Sequence, residues 1–169
     1  MHECQINNYF LRRKTQMDKW NHRFLNLAKH ISTWSKDPST KVGAVIVDKQ
    51  NRIVSVGYNG FPAGVNDDQD RYLDRDMKYS LTQHSEINAL LFAQRDVSGC
   101  TMYTYPLAPC TRCACAIIQS GISSVISIEL EGDKKDRWED SIELSKVIFA
   151  EANVSLKLIK ELEIENGKL

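Results

Sequence analysis

The sequence predicts an α/β fold in which a sheet is covered by helices on both faces, and three observations carry that expectation. Strand-like and helix-like segments alternate along most of the chain. The strand-like segments are short and rich in β-branched residues. The helix-like segments repeat apolar residues at helical spacing and stop at proline or glycine. At 169 residues the chain is long enough for one domain with a substantial core and short for two. The expected organisation is an N-terminal extension over 1–16, a single domain over 17–160 and a tail over 161–169.

The extension is polar, with a basic Arg12-Arg13-Lys14 triplet that reads as a solvated terminus. From Asp18, the residues Trp20, Phe24, Leu27, Ile31 and Trp34 recur every three or four positions and predict an amphipathic helix. It should end before Asp37-Pro38, because the residue ahead of proline is pushed out of the helical region. Val42 to Val47 and Ile53 to Val56 then read as a hairpin turned by Asp48-Lys49-Gln50-Asn51. In Gly57-Tyr58-Asn59-Gly60 the two glycines allow a sharp turn or close backbone approach to a ligand.

Residues 61–82 hold five aspartates between Asp67 and Asp76 with little periodicity, which predicts a loop or lid. They lack the spacing and closing glutamate of a calcium loop. A helix is expected from Gln83 to Arg95, a strand over Thr101 to Tyr105, and a helix from Cys110 to Ser120 stopped by Gly121. A strand over Ser124 to Ile128, a helix from about Arg137 to Ala152 and a strand over Val154 to Leu158 complete the series.

Composition excludes more than it names. Apolar residues make up 42% of the chain and charged residues 26%, which is ordinary for a globular protein. The 22 basic and 22 acidic side chains cancel, so no global positive field draws the chain to a polynucleotide. No apolar run is long enough for a membrane span, and the N-terminus lacks the apolar core of a signal peptide. A cytoplasmic protein without a membrane partner is expected. Five cysteines are an odd count without framework spacing, which fits reduced thiols. Cys115 reads as an ordinary buried thiol. His22 and His30 have no ligand-type partner at suitable spacing and read as structural or exposed.

The segment His84-Ser85-Glu86, followed by Pro109-Cys110-Thr111-Arg112-Cys113, carries the chemistry. One imidazole and two thiolates form a donor set suited to zinc, and three protein ligands leave the fourth tetrahedral position to water. Positions i and i+2 diverge on a helix, so His84 and Glu86 can serve one centre only at a helix start. Cys110 and Cys113 share one face of the next helix's first turn, where the dipole favours thiolates. Two helix N-termini brought together would thus enclose one metal, with Glu86 beside it as a proton shuttle rather than a ligand. A Cys-x-x-Cys pair is common in structural zinc sites. The glutamate, the preceding proline and the three-ligand count favour a catalytic centre, the pattern of zinc nucleobase deaminases. There, zinc-activated water attacks an aminated ring carbon, Glu86 relays protons to the ring nitrogen and the amino group, and ammonia leaves.

From about Asp18 to Val154 the chain resembles the deoxycytidylate deaminases. The resemblance lies in Asp37-Pro38-Ser39-Thr40-Lys41-Val42-Gly43-Ala44, Gly57-Tyr58-Asn59-Gly60-Phe61-Pro62, Glu86-Ile87-Asn88-Ala89 and Ile117-Ile118-Gln119-Ser120-Gly121-Ile122. It implies a three-layer α-β-α, cytidine-deaminase-like fold with a five-stranded mixed sheet, and hydrolysis of dCMP to dUMP and ammonia, supplying dUMP for thymidylate. It also implies Zn2+ on His84, Cys110 and Cys113, Glu86 as proton shuttle, and Asn59 as a contact to the deoxyribose. Members with the Gly-Tyr-Asn-Gly segment are typically homohexamers activated by dCTP and inhibited by dTTP. Tyr58, Asn59, Gly60, Phe92 and Arg95 are the positions this assigns to the effector site, where Mg2+ would accompany a triphosphate.

Ser85 departs from the family's usual alanine, and its backbone N–H remains able to bind the base carbonyl. A nucleotide substrate needs a cation for its phosphate, and Lys36 and Lys41 flank the loop before the first strand as candidates. Two other readings stay open: a deaminase of tRNA adenosine or polynucleotide cytidine, and a nucleotide sensor that keeps zinc for structure.

Overall fold

The computed structural model describes residues 19–130 and 133–160. The expected N-terminal extension, the Asp18 start of the first helix, Cys4 and the C-terminal tail lie outside them. Helix α1 covers 19–32 and ends before Asp37-Pro38, where proline places it. The hairpin strands are β1 (Gly43–Val47) and β2 (Ile53–Tyr58). Asp48 closes the turn by accepting the backbone N–H groups of Gln50 and Arg52 at 2.9 and 3.0 Å.

Residues 61–82 are not wholly loop. They hold two short helices, α2 (Gln69–Leu73) and α3 (Arg75–Leu81). Asp74 caps α3, its side chain accepting the Met77 N–H at 3.0 Å. One of the five aspartates in the segment read as a loop or lid is therefore a start signal for a helix. The remaining elements are α4 (Ser85–Phe92), β3 (Thr101–Tyr105), α5 (Thr111–Gln119), β4 (Ser124–Ile128), α6 (Asp133–Glu151) and β5 (Ser155–Ile159). Helix α6 begins about a turn earlier than the periodicity predicts, and α4 is shorter at both ends. Gly121, at φ 79°, lies just past the end of α5, where the chain needs the left-handed region.

The sheet order is β2-β1-β3-β4-β5. The first three strands pair antiparallel, whereas β3, β4 and β5 run parallel because α5 and α6 form the crossovers between them. The sheet is therefore mixed and five-stranded, as the resemblance implies. β1 is buried along its whole length, and its side chains alternate between two cores. Ala44 and Ile46 join Ala89, Ala114, Ile117 and Phe149 from α4, α5 and α6 on one face. Val45 and Val47 join Phe24, Leu25, Ala28 and Ile31 of α1 on the other. Three layers result, with one described helix on one side and three packed on the other.

Trp34 ends the predicted apolar stripe but falls after α1 and is 51% exposed. Cys115 is also exposed, contrary to expectation: it lies between the positions by which α5 packs on the sheet, Ala114 and Ile117. No helix among the described residues is long and apolar enough to cross a membrane.

Candidate metal centre and active site

His84 and Cys110 are the residues immediately before α4 and α5, both in extended backbone at the N-cap position. This placement removes the difficulty of the i, i+2 spacing. His84 leaves the helix axis before the turn begins, so its ring need not share a helical face with Glu86. Cys113 is the third residue of α5 and is buried. The Nδ1 of His84 lies 3.5 Å from the Cys110 sulfur and 3.3 Å from that of Cys113, and the three donor atoms fall within 4.8 Å of one another. Around tetrahedral zinc, the usual Zn–S and Zn–N lengths put neighbouring sulfur and nitrogen ligands about 3.6 Å apart. The donor set and its spacing fit zinc.

The start of α5 is held from outside the metal pocket. Thr111 donates its hydroxyl to the Ser141 carbonyl at 2.9 Å and its backbone N–H to the Ser141 hydroxyl at 3.1 Å, fixing α5 to α6. Without metal the two thiols share a proton unequally. The hydrogen bond from Cys113 holds the Cys110 thiol down to about 4, with the nearby His84 adding to the effect. The same bond and burial push Cys113 up. The contact with Cys110 raises His84. Such a set takes up a divalent cation with release of protons.

Glu86 is 4% exposed, and burial raises its proton affinity above that of an ordinary carboxylate. It is not among the three clustered donors. Ser85, fully buried, donates its hydroxyl to Glu86 Oε2 at 3.0 Å. The serine hydroxyl thus adds a contact to the Glu86 carboxylate. Ser85→Ala is expected to change turnover by less than about tenfold, roughly 1.4 kcal/mol in barrier, because burial and backbone still position the carboxylate. A larger change in steady-state turnover would make the hydroxyl essential.

One cavity joins these groups. Its walls include His84, Ser85, Glu86 and Cys110, the loop residues Asp37, Ser39, Thr40 and Val42, and Asn59, Lys78, Tyr79, Thr82 and Trp138. Asn59 is at the cavity, yet both ends of its amide are in use. Its Oδ1 accepts the Val42 N–H at 2.7 Å and its Nδ2 donates to the Thr40 carbonyl at 2.9 Å, so it ties the 40–42 segment to the end of β2. Gly60 pairs its backbone with Gln83 and so aligns the chain just ahead of His84.

The predicted phosphate cations are elsewhere. Lys36 is exposed and pairs with Asp67 at 2.7 Å, Lys41 is exposed, and neither lines the cavity. The reason is local: Asp37 folds the loop back by accepting the Ser39 and Thr40 N–H groups, leaving the flanking lysines outside. The cation that does line it is Lys78, only 7% exposed, which lay unnoticed in the segment read as loop. The signal that could have found it is the Asp74 cap, which starts a helix and turns Lys78 inward. Of the residues assigned to an effector site, Tyr58, Phe92 and Arg95 are exposed and outside the cavity. Asn88 Nδ2 donates to the Tyr58 carbonyl at 2.8 Å, and Phe92 follows one turn later on the same helix.

The family model for the cytidine and deoxycytidylate deaminase zinc-binding region matches residues 18–129. A deaminase in the luxG 3′ region of Aliivibrio fischeri is 48% identical over 140 residues, spanning 83% of this chain and 93% of that protein. The deoxycytidylate deaminase of Pongo abelii is 38% identical over 147 residues, spanning 82% of this chain and 79% of that protein. Among solved structures, the dCMP deaminase of cyanophage S-TIM5 in complex with dCMP and dUMP superposes with a TM-score of 0.63 at 22% identity, covering 81% of this chain and 94% of that one. That likeness establishes the fold.

Proposed function

The chain belongs to the cytidine and deoxycytidylate deaminase zinc-binding family, and from that premise we propose that it hydrolyses dCMP to dUMP and ammonia. The observation that carries this reading is the cluster of His84, Cys110 and Cys113 at a cavity whose wall includes His84, Cys110 and the buried Glu86. The substrate follows the deoxycytidylate deaminases among its relatives.

His84, Cys110 and Cys113 would hold the zinc. When bound there, zinc supplies an acidified water that is nucleophilic near neutral pH. Glu86 manages the protons. It accepts one from the attacking water and delivers it to the ring nitrogen beside the aminated carbon, then takes the second from the added hydroxyl and passes it to the amino group, which leaves as ammonia when the C–N bond breaks and the carbonyl forms. Burial suits it to both acts, because a carboxylate of raised proton affinity holds a proton long enough to return it. The Ser85 hydroxyl keeps one carboxylate oxygen in place, and its backbone N–H is free to meet the base carbonyl. Asn59 shapes the sugar end of the cavity by fixing residues 40–42.

Regulation by dCTP, which activates, and dTTP, which inhibits, is part of the same proposal. The exposed Tyr58, Phe92 and Arg95 support it, together with the backbone of Asn59 and Gly60 at the end of β2. Mg2+ would arrive with the triphosphate. Leu91 and Phe92, 65% and 59% exposed on α4, offer apolar surface for the homohexamer that the family resemblance implies.

Steady-state ammonia release from dCMP, deoxycytidine, cytosine and single-stranded DNA tests the substrate. The expected result is turnover of dCMP far above the other three, sigmoidal without effector, steeper in dTTP and hyperbolic in dCTP. Preference for DNA would replace the substrate assignment, and hyperbolic kinetics insensitive to both triphosphates would remove the regulation.

A further inference from the structure

Helix α5 carries both thiols of the metal cluster on a first turn that its own sequence leaves weak. Cys110 holds the N-cap position, where a hydroxyl, carboxylate or carboxamide side chain would accept from the first turn, and it makes no capping hydrogen bond. No acidic residue follows in that turn, and Arg112 places a positive charge at the positive end of the dipole. The start of α4 differs. Glu86 lies in its first turn, and the backbone pairing of Gly60 with Gln83, at 2.8 and 3.1 Å, anchors the chain just ahead of His84. The residue ahead of Cys110 is Pro109, which has no N–H to enter such a pairing.

The missing support comes from α6. Thr111 and Ser141 meet through three contacts: the Thr111 N–H donates to Ser141 Oγ at 3.1 Å, the Thr111 hydroxyl donates to the Ser141 carbonyl at 2.9 Å, and the two hydroxyl oxygens lie 3.2 Å apart. Because the Thr111 O–H is committed to the carbonyl, the Ser141 O–H is the donor in the last contact. The result is a closed set of three hydrogen bonds at the residue next to Cys110. Ser145, 1% exposed, donates its hydroxyl to the same Ser141 carbonyl at 2.7 Å and backs the set from within α6. The first hydrogen bond of α5 itself, from the Ala114 N–H to the Cys110 carbonyl at 2.8 Å, begins at this point. Helix α6 also lends Trp138, one turn before Ser141, to the wall of the catalytic cavity, so the clasp holds the thiols and that wall in one frame.

Resting on the reading of His84, Cys110 and Cys113 as a zinc site, we propose that Ser141 is a positioning residue for the metal centre, capping α5 from another helix because the N-cap residue is committed to the metal. Thr111 stands one residue from Cys110 and two from Cys113, so whatever fixes it fixes both sulfurs relative to His84. With the clasp in place, the ligands need little ordering when the ion arrives. Without it the first turn frays, and part of the binding free energy goes into re-forming that turn. Ser141 is not one of the three clustered donors and does not line the cavity, so its effect reaches the reaction through the thiols.

Zinc affinity of the whole chain, measured by competition with a chromophoric chelator, tests this without substrate. The dissociation constant should rise about tenfold or more in Ser141→Ala and severalfold in Thr111→Val, whereas Thr111→Ser, which keeps the hydroxyl, should stay near the wild type. Ser145→Ala is the structural comparison. It removes a buried hydrogen bond from α6 and should lower Tm, yet leave zinc affinity within about twofold. A general loss of stability does not imitate this pattern, because a protein that stays almost wholly folded binds its metal as before. Equal zinc affinity in the wild type, Ser141→Ala and Thr111→Val overturns the proposal, as does an equal weakening in Ser145→Ala. Thr111→Val keeps the test decisive if Ser141→Ala fails to fold. Ammonia release separates the two readings: weaker zinc binding in Ser141→Ala, with no turnover of dCMP by the wild type, supports the clasp and removes the dCMP reading alone. A wild type that takes no zinc from the chelator removes the zinc site and the proposal with it.

Discussion

Replacing Glu86 with glutamine should leave one zinc bound per chain and lower ammonia release from dCMP by about a thousandfold to ten-thousandfold, the range that a positioned acid-base group contributes. The metal should stay because Glu86 is not one of the three clustered donors, whose atoms come from His84, Cys110 and Cys113. Activity should collapse because an amide can neither take a proton from water nor return one. Glutamine keeps the size of the side chain and can still accept from the Ser85 hydroxyl, which reaches Glu86 Oε2 at 3.0 Å. The loss is therefore one of proton transfer rather than of packing. Metal content by elemental analysis and turnover by ammonia release, measured on the same preparation, decide the matter. Loss of zinc would make Glu86 a ligand, and turnover near that of the wild type would give the proton shuttle to another group.

The same contrast between what a residue is and where it points explains which parts of the fold were legible beforehand. β3 and β4 match the expected spans because β-branched and aromatic residues fill them and Pro106, Gly121 and Ser123 bound them. The His84, Cys110 and Cys113 cluster was legible because its chemistry is carried by residue type and spacing, independent of helix length. Residues 61–82 were not. Their apolar positions Leu73 and Met77 are exposed, whereas buried Lys78 presents a charge inward, so hydrophobic periodicity reads the helix face backwards. Lys36 and Lys41 fall outside the cavity for a related reason: proximity in sequence says nothing about which side of an Asp37-closed loop a side chain takes. Cys115 shows the limit of residue averages, since a thiol is usually buried but α5 buries the faces on either side of this one.

Gly57 was expected to serve a turn or a ligand, and the structure gives it a different task with a large consequence. It lies inside β2, paired with Ala44, and what approaches its Cα is the backbone of α4. A Cβ at this position would meet the Ser85 carbonyl oxygen and the Ala89 backbone N well under 3.0 Å, closer than real side-chain atoms come. Neither obstacle is a flexible side chain that can swing aside. Gly43 does the same for α1 on the opposite face of the sheet, where a Cβ would run into the Ala28 carbonyl and the Ser32 N. Two glycines on paired strands thus set how closely the flanking helices sit, and α4 is the helix whose first turn carries Glu86, two residues after the N-cap His84. Gly57→Ala must push α4 outward or bend β2, at a cost of about 3 kcal/mol or more, the upper range for overpacking, because backbone rather than side chain must yield. For a domain of this size that is a fall in Tm of about 6–12 °C. Zinc affinity should fall with it, since His84 moves with α4 while Cys110 and Cys113 stay on α5. Gly60→Ala is the matching comparison, because its nearest obstacle is the Tyr72 hydroxyl at 4.0 Å, and it should stay within about 0.5 kcal/mol of the wild type. Thermal unfolding of the two variants with and without zinc distinguishes the effects. Equal stability of Gly57→Ala and Gly60→Ala would mean that helix–sheet spacing is not what holds the histidine and glutamate to the cysteines.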